Sequence, residues 1–231
     1  MRDIGFSTGA IALGDFGRAL KILSMRSLRA VELSALRIQE VSPLLEALQT
    51  LDLSSYSYIS FHAPSSYSEH EEKALVSVLR NLPNDWPIIV HPDAIHDFSL
   101  WATFGRQVAI ENMDRRKSIG RTASELSSIF EKLPYASMCF DIGHARQYDA
   151  SMSEAYLILR NFREKIVQVH LSEVDTSNRH NRVSFAAEIA FHQMSRWLPD
   201  SVPLILESRV EENQIGRELD MAARIFNTAM A

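Results

Sequence analysis

The heptapeptide VAIENMD, residues 108–114, joins a short apolar run directly to a carboxylate, Glu111. A strand covered on both faces consists of apolar residues and offers no obvious use for an ionised side chain at its end. The same arrangement recurs along the chain, with an apolar run followed by a side chain that can bind metal. The other residues of this kind are His62 in ISFHAP, His91 in IIVHPD, Asp141 in MCFDIGHA, His170 in IVQVHLSE and Glu207 in LILESRV. Such repetition indicates a common cause in the fold.

These runs belong to an alternation of strand and helix patterns that is repeated through the sequence. Strands are predicted at 3–7, 30–34, 57–62, 87–91, 107–111, 136–141, 166–171 and 203–207. Helices are predicted at 13–26, 40–50, 69–81, 96–104, 121–132, 152–162, 184–197 and 211–228. Eight units predict an α/β protein folded as a single-domain (β/α)8 TIM barrel over residues 1–231. A doubly wound open sheet is the alternative, although STGAIALGDFG after the first strand does not fit G-x-G-x-x-G.

Composition limits the class of protein and of substrate. The chain has 231 residues, of which 46% are hydrophobic, and it lacks an apolar run of the roughly 18–20 residues that span a membrane. The first ten residues lack the apolar core of a signal peptide, so we expect a cytoplasmic protein with no membrane partner. The single cysteine, Cys139, excludes an internal disulfide and a cysteine-built metal site. A net charge of −5 favours a small substrate over nucleic acid without excluding a local basic patch.

The predicted barrel gathers the polar strand ends at one mouth, where barrel enzymes have their active sites. Glu111, Asp141, His170 and Glu207 would come from the fifth to eighth strands. Carboxylates and an imidazole suit a divalent ion such as Mn²⁺, Mg²⁺, Co²⁺ or Zn²⁺. A cation also offsets the cost of burying several carboxylates together. The sequence therefore predicts a divalent metal centre.

The ordered set of motifs resembles the xylose-isomerase-like barrel superfamily, which groups sugar isomerases and epimerases with the AP endonuclease family of DNA repair nucleases. The motifs are IGFSTGA, VELSAL, SFHAP, VHPD, IENMD, FDIGHA, VHLSE and LILESR, and they span nearly the whole chain. By this resemblance, the four strand-end residues match the metal ligands of the epimerase branch. It implies a metal-dependent isomerase or epimerase acting on a small polyhydroxylated sugar or sugar phosphate.

The nuclease branch offers an alternative, because it adds ligands to the same four residues and binds three zinc ions. His62, His91, His144 and His180 match those additional ligands. SNRHN resembles the D-R-H motif of that branch, but Asn178 stands where the branch has an aspartate, and NRVSF replaces its Gly-rich continuation. An amide is a poorer ligand than a carboxylate, so we expect fewer than three tightly bound ions. A barrel that binds metal and ligand without turnover is a third alternative.

Several side chains remain candidates for substrate contact. They are His62, His91, His144, Arg179, His180 and Glu32, and a bond to a metal ligand or a purely structural contact is the alternative for some of them. The loop after the fifth strand carries Arg115, Arg116, Lys117 and Arg121, which could hold a phosphate or form a solvated charged surface. The oligomeric state is open, a homo-oligomer included.

The isomerase interpretation assigns chemistry to the paired glutamates. A metal would bind the carbonyl and adjacent hydroxyl of the substrate and stabilise the enediolate that forms when the α proton leaves. Glu111 and Glu207, reaching in from different sides, would act as proton acceptor and donor. Asp141 and His170 would mainly hold the ion.

Overall fold

The strands of the central barrel are parallel and enclose its core. The computed structural model describes residues 2–226, and all statements about the structure refer to them. The barrel strands are Ile4–Ser7 (β1), Ala30–Ser34 (β2), Tyr58–His62 (β3), Ile88–Val90 (β4), Val108–Glu111 (β5), Ser137–Asp141 (β6), Ile166–Leu171 (β7) and Leu204–Leu206 (β10). A separate antiparallel hairpin, Glu173–Val174 (β8) with His180–Asn181 (β9), follows β7. The ends of every predicted strand lie within one residue of the observed ends.

Pairing between the first and last barrel strands closes the sheet. Ile4 lies opposite Leu204 and Phe6 opposite Leu206, while β1 also pairs with β2 on its other side. The order around the barrel is β1-β10-β7-β6-β5-β4-β3-β2. Closure excludes the doubly wound open sheet, which would leave two edge strands. The predicted single-domain (β/α)8 barrel is confirmed.

Helices cover the outside of the barrel. They are Thr8–Ala12 (α1), Phe16–Ser24 (α2), Ile38–Ala47 (α3), Glu69–Leu79 (α4), Phe98–Ala102 (α5), Ala123–Lys132 (α6), Ile142–Tyr148 (α7), Ser153–Phe162 (α8), Phe185–Ser195 (α9) and Ile215–Ile225 (α10). No helix within residues 2–226 is long and apolar enough to cross a membrane. The last two residues of the helix predicted at 211–228 lie outside the described residues.

The helix predicted at 13–26 is corrected by the structure. Leu13 has a positive φ of 53°, which ends α1 one residue earlier. Asp15 then caps a second helix, because its Oδ1 accepts the backbone N–H of Arg18 at 2.9 Å. The predicted helix is therefore the shorter α2, and α1, which precedes the predicted start, was not predicted. The short α7 and the β8–β9 hairpin were also missed, and both contribute to the site described below.

Close strand packing is visible at Gly5 on β1. A Cβ atom placed there would lie 1.9 Å from the carbonyl oxygen of Ala30 on β2. No side chain fits at that distance, so only glycine allows the two strands to pair as they do. The barrel strands are almost wholly buried and apolar apart from the polar side chains inside the barrel and at its mouth.

Candidate metal centre and active-site cleft

The predicted polar strand ends converge at the carboxyl-terminal mouth of the barrel. Glu111, Asp141 and His170 lie within the final two residues of β5, β6 and β7, and Glu207 follows β10 directly. Asp141 lies opposite His170 in the strand register. One potential ligand atom from each of the four side chains lies within 4.8 Å of the others. The structure thus brings together all four residues that the sequence nominated as ligands.

Unpaired polar atoms show that this group suits a cation. Asp141 Oδ2, His170 Nδ1 and Glu207 Oε2 are buried and make no hydrogen bond within the described residues. A buried polar atom without a partner costs stability, and a buried carboxylate costs more. A divalent ion would give all three atoms a partner at once and offset the repulsion between the carboxylates. The donor set of carboxylates plus one imidazole therefore fits a hard or borderline divalent ion.

Local structure orients Asp141. Its Oδ1 accepts the backbone N–H of His144 at 2.7 Å and so caps α7, which leaves Oδ2 for another partner. Asn112 clamps the same residue from β5, since its amide bonds both the backbone N–H and the carbonyl oxygen of Asp141 at 2.8 Å. We did not predict this role for Asn112 from the sequence. Its position directly after Glu111 was the available signal.

Three histidines besides His170 surround Glu111, which is only 1% exposed. The Nε2 atoms of His62 and His91 each lie 3.2 Å from Glu111 Oε2, and Nδ1 of His144 lies 3.2 Å from Oε1. These histidines therefore adjoin the candidate metal ligands, as the sequence led us to expect. The geometry is compatible with direct metal ligation, with substrate contact and with orientation of Glu111.

Burial and mutual charge shift the pKa values of the group. Burial raises the pKa of Asp141 to about 6, with His144 opposing the shift and Glu207 and Glu111 adding to it. Burial lowers the pKa of His62, but its hydrogen bond to Glu111 and the nearby carboxylates together raise it to about 9. The nearby carboxylates therefore favour the protonated form of His62, whereas burial lowers the pKa of His91.

His180 comes from the hairpin that we did not predict. Its Nδ1 lies 3.3 Å from Glu207 Oε2 and 2.9 Å from Ser172 Oγ. Asn178 lines the same cleft, adopts a left-handed backbone with φ of 62°, and leaves Oδ1 without a hydrogen bond in the described chain. The β8–β9 hairpin thus covers the Glu207 side of the mouth.

Two predicted substrate contacts lie elsewhere. The Arg179 side chain is 71% exposed, and its Nε bonds Asp175 Oδ2 at 3.0 Å, away from the cleft lining. Arg209 lines the cleft instead, with its backbone N–H donated to the carbonyl oxygen of His180. Glu32 is fully buried below the cleft, where it bonds His170.

The basic loop after β5 contributes one side chain to the cleft. Lys117 lines it and bonds Asp93 at 2.9 Å. The other basic residues of that loop bond protein groups: Arg115 bonds Tyr148, Arg116 bonds Ser177 and Arg121 bonds Glu125. The cleft volume is about 190 Å³, or about six water molecules at roughly 30 Å³ each in the liquid. This size suits a small molecule.

Several solved structures have a fold similar to that of this chain. A D-psicose 3-epimerase matches with a TM-score of 0.68 and 13% identity, over 97% of this chain and 99% of that one. A protein assigned as a sugar phosphate isomerase/epimerase from Anabaena variabilis gives 0.59 and 13% identity, over 95% and 88%. The 3-keto-D-glucoside 4-epimerase YcjR from E. coli gives 0.57 and 10% identity, over 98% and 100%.

These matches confirm the predicted barrel fold, which this chain shares with proteins named as sugar epimerases or as a sugar phosphate isomerase/epimerase. No protein-family model matches the sequence, and no curated protein matches it either.

Proposed function

We propose that the protein is a divalent-metal-dependent isomerase or epimerase acting on a small sugar or sugar phosphate. The observation that carries this proposal is the position of Glu111 and Glu207, which come from β5 and from the end of β10 and both line the same small cleft. Each lies near Nδ1 of His170, at 3.4 Å and 3.5 Å. Two carboxylates that come from different strands and border one bound substrate could act as the acid and the base that remove and return a proton.

The side chains divide the chemistry between them. Glu111, Asp141, His170 and Glu207 would hold the ion, whose contribution when bound is to polarise the carbonyl and stabilise developing negative charge on oxygen. Glu111 and Glu207 accept and donate the proton α to the carbonyl. Residues at the rim, including Lys117, Arg209 and His180, lie where they can contact hydroxyls or a phosphate. The fold shared with sugar epimerases supports the same reaction class.

Deuterium exchange tests the proposal directly. Protein loaded with Mn²⁺ or Co²⁺ in D₂O, supplied with a panel of ketoses and ketose phosphates, should place deuterium on the carbon that loses its proton. Glu111→Gln and Glu207→Gln should each reduce labelling by at least about 100-fold, the scale of general acid–base catalysis. Glu164→Gln is the matched control because its side chain is 92% exposed on the surface. Full labelling by both active-site variants would reject the paired-glutamate mechanism.

One observation favours a second candidate, a multi-metal phosphodiesterase related to the AP endonucleases. His62 and His91 both lie 3.2 Å from the same oxygen of Glu111, an arrangement in which one carboxylate could be shared between two ions. A duplex containing one abasic site tests it in parallel. Metal-dependent incision without labelling of any sugar would favour the nuclease, and inactivity in both assays would favour a binding protein without turnover.

A further inference from the structure

A fully buried carboxylate lies directly below the candidate metal centre. Glu32 on β2 and His170 on β7 are both 0% exposed, and Glu32 Oε2 lies 2.8 Å from His170 Nε2. The two residues are 138 positions apart in sequence, so barrel closure is what brings them together. Glu32 does not belong to the cleft lining. Glu32 also forms a group with His62 and Glu207 in which one potential ligand atom from each lies within 4.8 Å of the others, so direct metal ligation by Glu32 is the alternative that the test below must distinguish.

The surrounding hydrogen bonds fix the orientation of this group. The Tyr58 hydroxyl bonds the amide oxygen of Gln168 at 2.9 Å, and the Gln168 amide nitrogen donates to Glu32 Oε2 at 2.6 Å. Glu32 Oε2 therefore acts as an acceptor for donors on the β7 side. The Gln168 amide nitrogen also lies 2.7 Å from His170 Nε2, so an unprotonated Nε2 could accept a hydrogen bond from it. That tautomer would set the Nε2 lone pair against a carboxylate oxygen at 2.8 Å, and the full charge of the carboxylate outweighs the dipole of the amide. A proton on Nε2 removes that repulsion and makes a charge-assisted hydrogen bond.

A proton on Nε2 of His170 leaves Nδ1 of the neutral ring able to bind a metal ion. In a neutral imidazole only one nitrogen is protonated, so Nδ1 then keeps a free lone pair. Nδ1 lies 3.4 Å from Glu111 Oε1 and 3.5 Å from Glu207 Oε2, and it makes no hydrogen bond within the described residues. We infer that Glu32 is a positioning residue that holds His170 as the Nε2–H tautomer and directs the Nδ1 lone pair at the metal.

This inference rests on the metal site of the proposed function and replaces the substrate contact predicted for Glu32. Carboxylates that bond the far nitrogen of a ligating histidine fix its ring and raise its basicity. Their removal usually costs about 10–100-fold in metal affinity. Because Glu32 Oε1 has no hydrogen-bond partner within residues 2–226, the bonds at Oε2 to His170 and Gln168 are the main anchors of this carboxylate.

Metal affinity is the first test. Zn²⁺ is titrated into chelator-treated full-length protein in competition with a chromophoric chelator, using wild type, Glu32→Gln and Glu72→Gln. Glu72 is the matched control, since it is 1% exposed and accepts hydrogen bonds from His96, Asp97 and Trp101 outside the barrel. Glu32→Gln should weaken Zn²⁺ binding about 10–100-fold at unchanged stoichiometry. Glu72→Gln should lower the Tm and leave affinity unchanged. Loss of a whole equivalent in Glu32→Gln would instead make Glu32 a direct ligand.

The tautomer is the second test and requires no folded variant of Glu32. In the Zn²⁺-loaded wild type with ¹⁵N-labelled histidine, the His170 signals should show a protonated Nε2 and a metal-bound Nδ1. Protonation at Nδ1 would overturn the inference, as would unchanged affinity in Glu32→Gln. Neither measurement uses a sugar, so a wild type that binds Zn²⁺ but exchanges no substrate proton would contradict the proposed function alone. A wild type that binds no Zn²⁺ would contradict both.

Discussion

Nδ1 of His170 lies 3.5 Å from Oε2 of Glu207, and neither atom makes a hydrogen bond within residues 2–226. Both atoms are buried, and Glu207 lines the cleft at the mouth of the closed barrel. Under the proposed function, a bound cation would contact both atoms and so offset the cost of burying them without hydrogen bonds. Stability should therefore depend on metal.

Metal removal should destabilise the protein. A ligand that binds only the folded state at 100 times its Kd adds about 2.7 kcal/mol to the free energy of unfolding. We expect Mn²⁺ or Zn²⁺ to raise the Tm of chelator-treated protein by several degrees, as measured by calorimetry. Asp141→Asn and Glu207→Gln should lose most of this increase, whereas Glu164→Gln should keep it. An equal increase in all four proteins would show that the ion binds elsewhere.

The number of bound ions should depend on Asn178. This residue lines the cleft and leaves its Oδ1 without a hydrogen bond in the described part of the chain, but an amide oxygen is a weaker ligand than a carboxylate. Elemental analysis of the wild type should give fewer than three equivalents, and Asn178→Asp should increase the count. Asn213→Asp, on the exposed surface, is the control. Three tight equivalents in the wild type, with one lost in His180→Ala, would support the nuclease alternative.

Arg209, rather than Arg179, should contact the charged group of a phosphorylated substrate. Arg209 lines the cleft, whereas Arg179 is bonded to Asp175 in the exposed turn of the hairpin. With a ketose phosphate as substrate, Arg209→Ala should raise KM several-fold because a phosphate loses a cationic partner. Arg179→Ala should leave KM unchanged. If steady-state kinetics showed a raised KM for Arg179→Ala and an unchanged KM for Arg209→Ala, Arg179 would be the substrate contact.

Replacement of glycine by alanine should destabilise the protein at Gly5 but not at Gly216. Gly5→Ala places a Cβ 1.9 Å from the carbonyl oxygen of Ala30, so the variant should unfold or lose most of its stability. A Cβ added at Gly216 on α10 would meet no atom within 4 Å, and alanine there should gain up to about 1 kcal/mol from its helix propensity. Urea unfolding of both variants measures the difference. A stable Gly5→Ala protein would contradict the observed β1–β2 pairing.

The barrel and the convergence of the four strand-end residues could be predicted from sequence because each signal is local. Strands such as 166–171 are apolar runs whose ends are marked by a polar residue, and those ends meet wherever the sheet closes. Contacts between distant residues were harder to foresee. Glu32 was a candidate for contact with the substrate, with a metal ligand or with structural groups, but its partner His170 lies across the barrel and cannot be identified from spacing. Arg179 was a candidate for substrate contact. In the structure its side chain bonds Asp175 in the hairpin turn, and Arg209 is the arginine that lines the cleft.

Anomalous diffraction from crystals grown with Mn²⁺ tests the central claim most directly. The four strand-end residues should enclose one strong peak within coordination distance of Glu111, Asp141, His170 and Glu207, with His170 bound through Nδ1. The peak should be absent from crystals of Glu207→Gln. Ordered side chains with no peak at this position, in crystals where Mn²⁺ is bound at another site, would contradict the account.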